Sequence, residues 1–462
     1  MLFNSYVFIF AFLPVTYGVF WALRGTTARY VWLTFTGYVF YGYWDARFCL
    51  LMAFSTLVSY SAGLGFLRWR DARRRKLCLV IPIVVDLSLL AFFKYANFGL
   101  RTAEALARVM GRDIHAPMLN IVLPVGISFY TFHTITYIVD CYRGSITPTR
   151  KFFEFSTYVS LFSQLVAGPI VRFRQIEHDL EAVGTTSRRR WLSRGISFFA
   201  IGLVEKVLIA DSIASFVDPA LAQYAGLSTL GTWMAVLGYT FQLYFDFSGY
   251  STMAVGLGYL FGLRIPQNFN SPYKATDPSD FWRRWHISLS SVLRDYLYIP
   301  LGGNRNGTWK TYRNLMVTML IGGLWHGASW TFVAWGAYHG LLLSAYRAWG
   351  DAWDRLAPAV RRAGTFVLVV VGWVFFRSST FEMAGEILRR MFVPVGGDLV
   401  MQPALAAFAL VVAAWLAMAS RNAFELSHEY RWPGRFAIAT GLAACLAIIA
   451  GLRSSPFLYF QF

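Results

Sequence analysis

Apolar residues run in blocks separated by short charged stretches along nearly the whole chain, and the blocks set the expected elements. About twenty consecutive apolar residues form a helix long enough to cross the hydrocarbon of a bilayer. Blocks of this kind occupy 1–23, 30–44, 48–67, 77–93, 119–139, 191–213, 234–263, 365–376, 405–418 and 436–452, several of them short. The stretch 101–112 has the pattern of an amphipathic surface helix, and 214–233, which lacks Lys and Arg, reads as an external loop. The first block has no basic leader and no small-residue cleavage site, so it reads as a retained span.

Two blocks break the alternation. The block 152–173 is flanked by basic residues on both sides, Arg150 and Lys151 before it and Arg172, Arg174, Arg188, Arg189 and Arg190 after it, and Gln164, Gly168 and Pro169 interrupt it. A re-entrant segment accounts for both features, because irregular backbone at membrane depth is tolerated where protein buries it. The block 315–345 likewise lies between Lys310 and Arg313 on one side and Arg347, Arg355, Arg361 and Arg362 on the other. It is short for two full spans and predicts a hairpin of short helices, with His326 deep inside. Between these blocks, Phe281, Trp285, Leu289, Val292 and Tyr296 recur at helical spacing, with Arg283, Arg284, Arg294 and Asp295 among them. Asp277 suits the cap, Pro278 the first position and Asp280 the first turn of one amphipathic helix too charged to span. The pattern predicts an all-α polytopic membrane protein, a single domain over 1–462, with about eleven spans plus re-entrant pieces.

Composition agrees: 56% of residues are hydrophobic and 14% charged, against about 25% charged in soluble domains. The net charge of +18 comes from residues clustered between apolar runs, RWRDARRRK at 68–76 above all. That is the signature of cytoplasmic loops, not of a nucleic-acid surface. Placing 68–76 in the cytoplasm leaves the N-terminus outside. Cys49, Cys78, Cys141 and Cys445 show neither zinc spacing nor a disulfide framework.

An ionisable group at membrane depth is costly, and His326, set among Gly322, Gly323 and Gly327, is the leading candidate for chemistry. A buried neutral imidazole can act as a general base; equally, a His beside Trp325 can be a packing residue. His286 is the second candidate. His339 reads as structural, His133 as a buried core polar group, and His115, His178 and His428 as loop residues. Asp246, in an apolar run, fits a paired structural charge as well as a site residue. Arg283 and Arg284 could hold an anion, although contact with a membrane surface is the commoner use. Trp325, Trp330 and Trp335 read as packing and interface anchors. With no G-x-S-x-G, H-E-x-x-H or Walker motif, the pattern points to base-assisted group transfer with no metal.

Five stretches carry a resemblance: LPVGISFYTFHTITYIVDCYRG (123–144), FSQLVAGPIVRF (162–173), YTFQLYFDFSGYSTMAVGLG (239–258), NFNSPYKATDPSDFWRRWHISLSSVLRDYLYIPLGGNR (268–305) and GGLWHGASWTFVAWGAYHG (322–340). In this order they resemble the membrane-bound O-acyltransferases, most of all the branch of bacterial alginate O-acetyltransferases. The resemblance implies a ring of helices around a thin centre with a funnel or tunnel. It places His326 on the family's catalytic histidine and His286 on a second signature position. It further implies acetyl-CoA or an equivalent acyl thioester as donor substrate, with no tightly bound cofactor. The implied partners are periplasmic acetyltransferase proteins, an exported polysaccharide and membrane lipid, at the bacterial inner membrane. On this basis Trp325, Asp246, Lys274, Arg283 and Arg284 are expected near the substrates, the three cations drawing the anionic donor. D-alanyl transfer to a cell-wall polymer is the alternative within the class. A transporter is the alternative outside it, disfavoured by the lack of internal repeats.

Overall fold

The computed structural model describes residues 1–166, 168–185 and 188–451; Ala167 of the predicted re-entrant segment, the side chains of Arg189 and Arg190, and the end of the last apolar block lie outside that description. The described residues form twenty α-helices, several continued by π-helical turns, and an isolated bridge between Leu227 and Asp398. The protein is therefore all-helical.

Contacts divide the chain into two compact units. The first, 1–195 with 257–265, holds α1 (Leu13–Leu23), α2 (Ala28–Gly42), α3 (Arg47–Arg68), α4 (Ala72–Leu90), α5 (Ala96–Val109), α6 (Ile127–Arg143), α7 (Phe152–Ser160), α8 (Phe162–Leu165) and α9 (Phe173–Ala182). Its centre is polar as well as apolar. The Asp86 carboxylate of α4, 1% exposed, accepts hydrogen bonds from Ser55 of α3 and Thr134 of α6, each at 2.6 Å. One buried carboxylate thus ties three helices, and leaving it unpaired would be costly.

Residues of α10 (Arg188–Val204) and α12 (Thr229–Leu260) are shared between the units. The second unit, 196–256 with 266–462, adds α11 (Asp211–Ala222), α13 (Pro278–Arg284), α14 (Ile287–Leu293), α15 (Thr308–His326), α16 (Trp330–Asp354), α17 (Pro358–Arg377), α18 (Phe381–Phe392), α19 (Pro403–Met418) and α20 (Trp432–Gly451). The predicted hairpin is present as α15 and α16, packed through small residues, but its helices are not short: at 19 and 25 residues they run past the apolar block into the charged stretches on either side. A Cβ on Gly323 would fall 2.3 Å from the Phe332 carbonyl oxygen, and one on Gly336 would fall 2.4 Å from that of Met319. Only glycine allows that approach.

Four helices among the described residues are long and apolar enough to cross a membrane: Arg47–Arg68, Ala72–Val109, Pro358–Arg377 and Trp432–Gly451, with Val7–Leu23 and Pro403–Met418 as shorter apolar ones. The structure corrects four local expectations. The amphipathic helix expected at 101–112 is present as far as Val109, but it is no separate surface element: it continues α4 through a π-helical turn, Ala91–Tyr95, into α5. The block 119–139 becomes helical only from Ile127, after Pro124 and the left-handed Gly126. The stretch 214–233 is helical as far as Ala222 and again from Thr229, where α12 begins. The single helix expected over 281–296 is two, broken at His286.

Candidate functional site

Everything that surrounds the two leading histidines belongs to the second unit. The chain enters α13 as its residues dictate, with the Asp277 carboxylate accepting the backbone N–H of Asp280 at 2.7 Å and Pro278 in the first turn. The helix ends at Arg284. Trp285 is extended, and His286 takes the left-handed conformation at φ 42° and ψ 55° before α14 begins. For a residue with a Cβ that conformation costs about 1–2 kcal/mol. Asn268 offsets it. Its main-chain oxygen accepts Ile287 N–H at 2.8 Å, and its Oδ1 accepts Ser288 N–H at 3.1 Å and Ser288 Oγ–H at 2.8 Å. The first N–H groups of α14, which no helix satisfies by itself, are thus met from outside. The same Oδ1 lies 3.1 Å from His286 Nδ1.

His326 is the last residue of α15. The chain leaves it through extended Gly327, and Ser329 caps α16 by accepting Thr331 N–H. Both histidines are buried, and their ring centroids lie 6.5 Å apart. Trp325 sits beside both, 4.9 Å from His326 and 5.9 Å from His286. Trp335 and Phe376 wall His326 at 5.1 Å each, and Phe247 meets His286 edge-on at 4.7 Å. Burial lowers the pKa of His286, in the turn between two short helices, to about 3. It is therefore neutral at physiological pH.

His326, His286 and Trp325 are brought together; the other predicted site residues are directed elsewhere. Asp246 Oδ1 lies 2.5 Å from Lys206 Nζ, which also donates to Asp211 at 2.8 Å, so its charge is paired. Lys274 Nζ donates to the Ser420 carbonyl at 2.6 Å. Arg284 holds the Asp280 carboxylate at 3.0 Å and the Asn270 carbonyl at 3.3 Å. Arg283, 3.9 Å from Asp280, keeps a largely exposed side chain and is the cation of the three most open to an anion. His339 stacks against Phe281 and meets Trp335 within an aromatic cluster. His428 is not the loop residue its sequence context predicts: it is buried, with Nδ1 2.7 Å from Ser197 Oγ and Nε2 2.8 Å from the Ala423 carbonyl. An apolar cavity of about 340 Å³, lined by Leu342, Tyr346, Trp349, Trp353 and Leu368 among others, includes none of the predicted site residues. Asn268, Lys206 and Phe376 escaped the sequence reading, since each acts through partners distant in the chain.

An all-helical chain with apolar helices thus holds two buried imidazoles in one aromatic enclosure. Residues 117–382 match the membrane-bound O-acyltransferase family, and the chain belongs to it: the protein is a membrane O-acyltransferase. Among its relatives, the Pseudomonas aeruginosa protein named "Probable alginate O-acetylase AlgI" is 44% identical over 397 residues, covering 85% of this chain and 75% of that one. A peptidoglycan O-acetyltransferase of Helicobacter pylori is 37% identical over 424 residues, 85% of this chain and 80% of its own. A teichoic acid D-alanyltransferase of Bacillus subtilis is 30% identical over 289 residues, 58% and 72% of the two chains.

Proposed function

We propose that this protein passes an acetyl group from a cytoplasmic acyl thioester, acetyl-CoA or an equivalent, across the bacterial inner membrane for O-acetylation of an exported polysaccharide such as alginate. The observation that carries the reading is the pair of buried imidazoles 6.5 Å apart around Trp325. Its occurrence in a chain 44% identical to an alginate O-acetylase over most of its length favours acetyl as the acyl group.

In the proposed reaction, His326 accepts the proton of an acceptor hydroxyl as that oxygen attacks the thioester carbonyl. The tetrahedral intermediate collapses with loss of the thiolate, the new ester C–O bond replaces the C–S bond, and the proton returns from His326 to the thiolate. His286 orients the reacting groups, and the aromatic enclosure keeps water out. Arg283 is the cation best placed to meet the anionic donor. Periplasmic acetyltransferase partners would carry the group on to the polymer, and no cofactor stays bound.

The test is the O-acetyl content of the exported polymer in cells carrying wild type or His326→Ala at equal membrane levels. Loss of acetyl groups with the polymer still exported supports the reading. Unchanged acetylation overturns it. D-alanine on a cell-wall polymer, lost in the same variant, would shift the donor to the D-alanyl alternative.

A further inference from the structure

Asn268 caps α14, and its hydrogen bonds also bear on the chemistry of His286. The atom facing Ser288 receives a backbone N–H at 3.1 Å, and a backbone N–H can only donate. That atom is therefore the carboxamide oxygen, which is how the structure orients it. The opposite orientation would set an NH2 group against an N–H. The amide nitrogen meanwhile donates to Ser251 Oγ at 3.1 Å, beside a small polar cavity that Ser248 and Thr252 also line. An oxygen that cannot donate lies 3.1 Å from His286 Nδ1, and the Ser288 hydroxyl, 3.5 Å from Nδ1, gives its hydrogen to that same oxygen at 2.8 Å, so the geometry favours Nδ1 as the ring nitrogen that carries the hydrogen. Asn268 is itself 1% exposed, which keeps water from substituting for it.

We infer that Asn268 is a positioning residue that fixes His286 in its Nδ1–H tautomer, leaving Nε2 as a hydrogen-bond acceptor inside the site. His286 Nε2 is buried and has no hydrogen-bond partner among the described residues. The consequence is directional. A neutral imidazole in that form receives a hydrogen bond, as from an acceptor hydroxyl, and cannot donate one to an oxyanion from Nε2. The left-handed backbone of His286 and the cap on α14 hold the ring in the same place. This inference rests on reading His286 as a site residue of the acyl transfer.

The test is ¹⁵N solid-state NMR of histidine-labelled full-length protein in lipid bilayers, with the His286 signals assigned by their loss in His286→Asn. The expected spectrum has a protonated Nδ1 and a bare Nε2 in wild type, with the two tautomers mixed in Asn268→Ala. A protonated Nε2 in wild type overturns the inference, as does a tautomer unmoved in Asn268→Ala. The second arm follows release of CoA from acetyl-CoA against pH. Asn268→Asp keeps an oxygen acceptor but adds a negative charge that stabilises the imidazolium. Its acid limb should move up by about 1–3 pH units, with near wild-type turnover at high pH. Asn268→Ala should lose kcat at least about tenfold at every pH with KM unchanged. A merely structural role would lower both variants alike and leave their pH profiles parallel to wild type, which also overturns it. If wild type releases no CoA, the proposed donor falls, while the spectra still decide the tautomer.

Discussion

Two buried histidines of the second unit share an unusual backbone and differ in what their rings do. His286 and His428 are both left-handed, at φ 42° and φ 57°, and neither is glycine or asparagine. In His428 both nitrogens meet protein, Nδ1 at Ser197 and Nε2 at the Ala423 carbonyl, and the ring stacks on Phe198 at 4.1 Å. In His286 one nitrogen meets Asn268, and the other has no hydrogen-bond partner among the described residues. Burial and a left-handed backbone are therefore common to both histidines. What separates them is hydrogen-bond capacity left over after the fold is satisfied.

The largest expected effect lies beside His286. Removing the proposed base with His326→Ala should lower acyl transfer by at least about 100-fold, with folded yield in detergent near that of wild type. A variant that transfers normally would leave His326 a packing residue. The comparison itself is sharpened by giving both left-handed histidines the same substitution. Asparagine tolerates that conformation, so His286→Asn should fold and yet lose on the order of tenfold or more in turnover, within the range of one positioned polar group. His428→Asn should do the reverse. It breaks a buried contact and costs about 1–3 kcal/mol of stability, read as a lower melting temperature with turnover per folded molecule unchanged. If both variants lose turnover alike, hydrogen-bond capacity is not what distinguishes the two sites.

Sequence legibility follows the same line. Helices were readable because an apolar block dictates its own helix: the block 48–67 is the helix Arg47–Arg68, and 405–418 is Pro403–Met418. The interruption ahead of α9 was readable too, because Gly168 and Pro169 announce it: α8 ends at Leu165 and α9 begins at Phe173, whereas the earlier break at Leu161, between α7 and α8, has no such signal. The break at His286 was not readable either. Nothing in the spacing of Phe281, Trp285 and Leu289 asks the chain to leave the helix. The cause lies in Asn268, which takes over the N–H groups of Ile287 and Ser288. Asp246 was read as either partner or site residue because its ion partner, Lys206, lies on another element. His326 and His286 were candidates from their own surroundings, an apolar block and a charged helix, before the motif resemblance strengthened both, and the polar loop around His428 gave no hint of its burial.

The smallest expected effect is one of pH, and its sign follows from burial. The folded-state pKa of His286 is lowered to about 3 from the ordinary 6.5. As pH falls below 6.5 the unfolded chain takes a proton that the folded chain refuses, so the equilibrium moves toward unfolding until pH approaches 3, where both states are protonated. At about 1.4 kcal/mol per pH unit, the share of His286 at pH 5 is on the order of 2 kcal/mol relative to pH 7. Asparagine does not titrate, so His286→Asn removes this share and leaves that of every other histidine in place. Melting temperature should therefore fall more steeply from pH 7 to pH 5 in wild type than in the variant, the gap between them narrowing with acid. Parallel curves would mean that His286 takes up its proton in the folded state as readily as in the unfolded chain, which a ring walled by Phe247, Phe269 and Trp325 should not do.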